Sequence, residues 1–162
     1  MRSNVSKIVM TSSAAAVFPG RKDTRQNIDE SYWTNMDDKL VAYYMRSKVV
    51  AEKAAWGLIA TPEHTKLVTI LPGAIFGPFM DGRNSSTNLL FTTTLRGIPS
   101  PKAIYHVVDV RGLADLHIIA MRNPKADGER FIAQPGEITM PEMARLPGDG
   151  AGRVSFARAS FA

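Results

Sequence analysis

Lys7-Ile-Val-Met-Thr-Ser-Ser-Ala-Ala-Ala16, and after a loop Tyr44-Met-Arg-Ser-Lys48, decide how this sequence folds. Lys7 to Thr11 is short, β-branched and bounded by small residues, which reads as a buried strand ending in Ser12 and Ser13. From Val17 to Asp38 the chain carries Pro19, Gly20 and many charges without a sustained period, so it is read as a long loop of the kind that serves function. Strong helix formers then run from Ala42 to about Ala60 and stop at Thr61-Pro62. Met45, Val49, Trp56 and Ile59 fall at helical spacings and predict a buried stripe on that helix, with most methionines in the core.

Further along, Leu67 to Leu71 reads as a second strand, halted by Pro72-Gly73. A weaker helix is expected over Thr87 to Leu95, and Asp109 is placed to cap another helix reaching about Met121. Phe131 to Ala133 reads as a short last strand, and a helix begins near Thr139. Strands alternating with helices predict an α/β fold with a parallel sheet. The apolar period ends near Pro147, so residues 1–146 are expected to form the domain and 147–162 an irregular tail.

Composition narrows the function classes. The 162 residues hold 20 Lys plus Arg against 15 Asp plus Glu, and the resulting +5 charge is dispersed rather than gathered into a basic stripe, which argues against nucleic acid. No stretch approaches the roughly 20 unbroken apolar residues of a membrane helix. With no cysteine and no apolar leader at the start, a cytoplasmic location is expected. The three histidines lack metal-ligand spacing, so no metal site is expected; His106 reads as structural, beside the Asp109 cap.

Chemistry concentrates at Tyr44 and Lys48. Residues four apart share a helix face, so phenol and ammonium reach the same cleft. A nearby fixed positive charge favours phenolate over phenol, which suits a tyrosine to act as a general acid. A serine hydroxyl at the C-terminal end of a parallel strand lies where open α/β sheets bind ligands, and it can hydrogen-bond a carbonyl oxygen. Ser12 and Ser13 both qualify.

Together, Thr11-Ser12-Ser13, Asp29-Glu30-Ser31-Tyr32-Trp33, Tyr44-Met-Arg-Ser-Lys48, Ala51-Glu-Lys-Ala-Ala-Trp56, Pro72 to Pro78 and His106-Val-Val-Asp109 resemble the extended short-chain dehydrogenase/reductases. The branch they resemble most is that of the NADPH-dependent carbonyl reductases related to dihydroflavonol, cinnamoyl-CoA and methylglyoxal reductases, over about residues 3 to 145. The resemblance implies reduction of an aldehyde or ketone with NADP or NAD. It makes Tyr44 the acid, Lys48 its activator and ligand of the nicotinamide ribose, and Ser13, with Ser12 as second choice, the group polarising the substrate. It also implies cofactor contacts at Pro72, Gly73, Ala74, Ile75 and, more loosely, Ser86 or Thr87, and a substrate wall at Phe79 and Met80. Nucleotide-sugar epimerases and dehydratases use the same Ser, Tyr and Lys with bound NAD and form the rival enzymatic reading.

In these families a Gly-x-x-Gly-x-x-Gly turn after the first strand holds the cofactor pyrophosphate. Here Gly20 is the one glycine before Tyr44. The expectation is therefore a partial Rossmann domain: the C-terminal catalytic half of a reductase, truncated at its start, altered near Pro147 and inactive alone. A non-catalytic fragment or sheet-completing protein is the alternative. Unpaired strand edges would then invite a homo-oligomer or a second chain.

Overall fold

The computed structural model describes residues 5–20, 27–59, 65–78, 87 and 104–144. They divide into two compact units, one of Met1–Pro72 with Leu116–Ala133, the other of Gly73–Asp115 with Gln134–Ala162. In chain order the elements are β1 (Lys7–Thr11), a 3-10 turn (Ala14–Val17), α1 (Tyr43–Ile59), β2 (Lys66–Pro72), β3 (Ala74–Phe76) and β4 (Ile104–Asp109). There follow α2 (Val110–Arg122), a second 3-10 turn (Pro124–Ala126), β5 (Arg130–Ala133), β6 (Gly136–Thr139) and α3 (Met140–Ala144).

In the first unit β2 lies between β1 and β5, and both pairings are parallel. A central parallel strand has neighbours on both edges and cover on both faces, which is why Leu67 to Pro72 are all buried. Helix α1 and the first 3-10 turn pack beside β2, closing a core of Ala16, Val17, Val49 and Leu71. Burying an aliphatic side chain the size of Val49 or Leu71 is worth about 1.5–3 kcal/mol. Lys7 ties the sheet to the end of α2: its Nζ donates to the carbonyls of Ala120 (3.1 Å) and Asn123 (2.9 Å) and pairs with Asp127. A lysine there satisfies the Ala120 carbonyl in the last turn of α2 and shares the Asn123 carbonyl with the Ala126 amide.

The second unit holds β3 and β4 in parallel and β6 antiparallel to β4. Gly73 precedes β3 because a Cβ there would stand 2.4 Å from the His106 carbonyl oxygen, so only glycine allows the strands to approach. Asp109 caps α2 as expected, accepting from the Arg111 amide at 2.8 Å. The Arg111 guanidinium beside Asp109 holds its carboxyl below the usual range, against the opposing effect of burial. At the start of α3, Thr139 and Glu142 form a reciprocal capping box, with the Thr139 amide donating to Glu142 Oε2 at 2.8 Å.

The parallel α/β expectation holds for β1, β2 and β5, and α1 and α2 begin and end within a residue of their expected limits. Strands β3, β4 and β6 are additions, and the antiparallel β6 makes the second sheet mixed. Of the stripe on α1, Val49 is fully buried, whereas Met45, Trp56 and Ile59 are half-buried. The methionines depart further. Met143 is buried, Met10 and Met45 are half-buried, and Met36 and Met121 stand exposed, so most of those described are not core. Phe79, Met80, Ser86, most of the expected 87–95 helix and the 147–162 tail lie outside the described residues.

Candidate active site

All three residues expected to carry chemistry lie in the first unit. Helix α1 starts at Tyr43, so Tyr44 and Lys48 occupy its first turns, where the Lys48 ammonium lies 5.5 Å from the centroid of the Tyr44 ring. Tyr44 is 60% exposed. Among the described residues Lys48 forms no ion pair, which leaves its donors available to a ligand hydroxyl. Ser47, the serine within the motif, is exposed and donates back along the helix to the Tyr44 carbonyl at 2.7 Å. Arg46 fastens the approach to the helix by donating to the carbonyls of Val41 (3.2 Å) and Asp38 (3.0 Å).

Ser12 and Ser13 have separate tasks. Ser12 Oγ is buried and donates to Glu52 Oε2 at 2.6 Å. Ser13, extended at φ −161° and ψ 145°, caps the first 3-10 turn by accepting from the Ala15 amide at 3.2 Å. Successive side chains of an extended chain point to opposite faces, so the two buried serines meet different partners: Ser12 reaches Glu52 and Ser13 the turn that follows.

The largest surprise is Glu52. Its side chain lies at a helical position that should be apolar, yet it is fully buried. Glu52 Oε1 accepts from Thr69 Oγ1 (2.8 Å) and Arg130 Nε (2.8 Å), and the Trp56 indole donates to the same oxygen at 3.5 Å. Burial pushes the carboxyl up, but the hydrogen bonds from Arg130, Ser12 and Thr69, with the guanidinium charge, outweigh it and hold Glu52 below its ordinary range.

Arg130 in turn latches the loop containing Asp29-Glu30-Ser31-Tyr32-Trp33. It donates to the carbonyls of Glu30 and Tyr32 (2.8 Å for the latter), and its guanidinium carbon stacks 3.7 Å from the Trp33 ring centroid. Glu30 Oε1 accepts from the Ile132 amide at 3.1 Å, and buried Thr34 donates to the Ala15 carbonyl at 2.9 Å. The loop is thus sewn to β5 on one side and to the serine-capped turn on the other.

This network makes a pH prediction. Because the folded carboxyl titrates below its unfolded value, its contribution to stability is full above the unfolded value and disappears as pH falls through the folded one. The melting temperature of the native protein should exceed that of Glu52→Gln at neutral pH, with the gap shrinking as the pH falls below the ordinary glutamate range. A gap independent of pH would show that ionised Glu52 adds nothing.

Other candidates lie elsewhere. Pro72 ends β2, buried and in register with Ala133. Gly73, Ala74 and Ile75 belong to the second unit, where Ala74 and Ile75 pair with Val107 and Val108; β3 is an edge strand among the described residues. Thr87 is helical and half-buried. His106 pairs with Glu137 at 3.3 Å across the β4–β6 ladder, a structural place. Among the described residues no helix is long and apolar enough to cross a membrane.

Sequence reasoning missed Glu52 and Arg130. The one available signal was a carboxylate four residues beyond Lys48, in phase with Tyr44 on the same helix face.

The protein is similar to dihydroflavonol 4-reductase of Gerbera hybrida, 32% identical over 88% of this chain and 40% of that protein. It is 28% identical to the NADPH-dependent methylglyoxal reductase of Saccharomyces cerevisiae, over 86% of this chain and 46% of the relative. A structure of Gre2 from Candida albicans in complex with NADPH superposes with a TM-score of 0.72 at 31% identity, covering 86% of this chain and 46% of that one. The chain therefore spans less than half the length of each of these relatives. Where it matches them, the fold is Rossmann-like. The model of the 3-beta hydroxysteroid dehydrogenase/isomerase family matches residues 1–135. The chain belongs to this family, within the extended short-chain dehydrogenase/reductases.

Proposed function

We propose that these residues form the catalytic part of an NADPH-dependent reductase that converts a small aldehyde or ketone to an alcohol. The observation that carries this reading is the pairing of Tyr44 with Lys48 on an exposed turn of α1, in the same unit as the serine-capped end of β1. NADPH is preferred to NADH because the yeast relative and the Candida albicans complex are both described with it.

The arrangement suits the group. An ammonium with no ion pair among the described residues can donate to ribose hydroxyls, and an exposed phenol beside it can reach a bound carbonyl. When bound, NADPH supplies a hydride to the carbonyl carbon. Tyr44 gives its phenolic proton to the carbonyl oxygen, which becomes the alcohol. Ser13 donates a hydrogen bond to that oxygen and steadies the charge developing on it. Lys48, 5.5 Å from the Tyr44 ring centroid, donates to the ribose hydroxyls and holds the cofactor beside the phenol. Pro72, with the backbone of Gly73, Ala74 and Ile75, is assigned to the nicotinamide, Thr87 to a phosphate, and Phe79 and Met80 to the substrate, all by family resemblance.

A cofactor titration tests the reading. Trp33 and Trp56 are the protein's two tryptophans, and NADPH should quench their fluorescence saturably. With methylglyoxal or a simple aromatic aldehyde added, NADPH absorbance should then decline with time. Absence of both responses would remove the proposed activity.

A further inference from the structure

Glu52 joins two pieces of the candidate site that are distant in sequence. Tyr44, Lys48 and Glu52 are spaced four apart and share one stripe of α1. Glu52 Oε2 accepts the Ser12 hydroxyl at 2.6 Å, which ties that stripe to the end of β1 one residue before Ser13. The other carboxylate oxygen is held by Thr69 of β2 and Arg130 of β5, so all three parallel strands of the unit converge on this side chain.

We infer that Glu52 is a positioning residue: through Ser12 it sets the Ser13 hydroxyl in place relative to the Tyr44–Lys48 pair. Its carboxylate receives only donors, so it orients the Ser12 hydroxyl in a single sense. With Ser12 locked inward, the extended backbone directs Ser13 to the opposite face, where it caps the Ala14–Val17 turn. The Ser12 amide is fixed by its hydrogen bond to the Ile70 carbonyl at 2.7 Å, so an amide or alanine at position 52, or loss of the Ser12 hydroxyl, would loosen the segment beyond that bond, where Ser13 begins the turn. Preorganised donors lose effect with small misplacements, so the loss should fall on the chemical step rather than on binding.

The inference rests on the proposed reductase reading, and Ser12 variants test it with less risk of unfolding than changes at Glu52. In Ser12→Ala, amide exchange at Ala15 and Ala16, whose N–H groups bond to Ser13, should accelerate about tenfold while the body of α1 keeps its protection. Ser12→Thr keeps a hydroxyl and should restore slow exchange. Turnover of NADPH with the aldehyde should show kcat reduced about tenfold in Ser12→Ala with KM unchanged, and recovered in Ser12→Thr. Unchanged Ala15 and Ala16 exchange in a folded Ser12→Ala protein would overturn the inference. So would an unaltered kcat, or a rise in KM alone. If the native protein turns over no NADPH, the proposed function fails by itself, and the exchange rates alone decide whether Glu52 holds the serine turn.

Discussion

Arg130→Met is expected to cost about 3–5 kcal/mol of unfolding free energy, the largest stability effect of any single substitution considered. The change strands the fully buried carboxylate of Glu52 without its counter-charge; the Arg130 side chain is itself only 10% exposed. It also takes the donor from the Glu30 and Tyr32 carbonyls and the stacking partner from Trp33. Native domains are stable by about 5–15 kcal/mol, so such a loss would bring many of them near their unfolding midpoint. Urea denaturation followed by tryptophan fluorescence measures it directly. A second variant, Arg130→Met with Glu52→Leu, should recover much of the loss, because no orphan charge then remains inside. A single-variant cost below about 1 kcal/mol, or simple additivity in the pair, would show that the ion pair is not what holds the loop to the sheet.

Tyr44→Phe should lower the rate of aldehyde reduction by about 10²–10⁴-fold, the usual contribution of a positioned general acid. Stability should change by no more than about 0.5 kcal/mol, because the side chain is largely in solvent. NADPH quenching should remain nearly intact, as phenylalanine preserves the ring and removes only the hydroxyl. Tyr43→Phe is the control: Tyr43 is 89% exposed and has Ser47, not lysine, four residues on, so its turnover should match the native protein. Undiminished turnover in Tyr44→Phe would reassign the acid.

The elements readable in advance were those specified by local signals. Proline closes α1, aspartate opens α2, and the β-branched run of β2 needs no partner to be recognised. Strands β3 and β6 were missed because each is short and takes its conformation from the strand beside it, whereas the six residues of β4 carry a β-branched run that the Asp109 cap signal overshadowed. Gly136 to Thr139 has no strand pattern until it is laid against Ile104 to Val107. The methionines failed for a related reason: an apolar side chain on a small unit is buried only where another element covers it. In the candidate site, Tyr44 and Lys48 were legible because their relation is set within one helical turn. Glu52 and Arg130, 78 residues apart, were not, since a charged residue in a helical run ordinarily faces water.

By itself the sequence determined the order of the parallel strands' signals, the helix that presents Tyr44 and Lys48, and the family to which the chain belongs. Tertiary structure alone decided which of two adjacent serines is bound to a buried carboxylate and which is left to cap the turn. Both serines are buried, and alternation along an extended chain does not say which of them meets a buried carboxylate. That depends on Glu52, Thr69 and Arg130 meeting beneath Ser12, a convergence that exists only once β1, β2, β5 and α1 have packed.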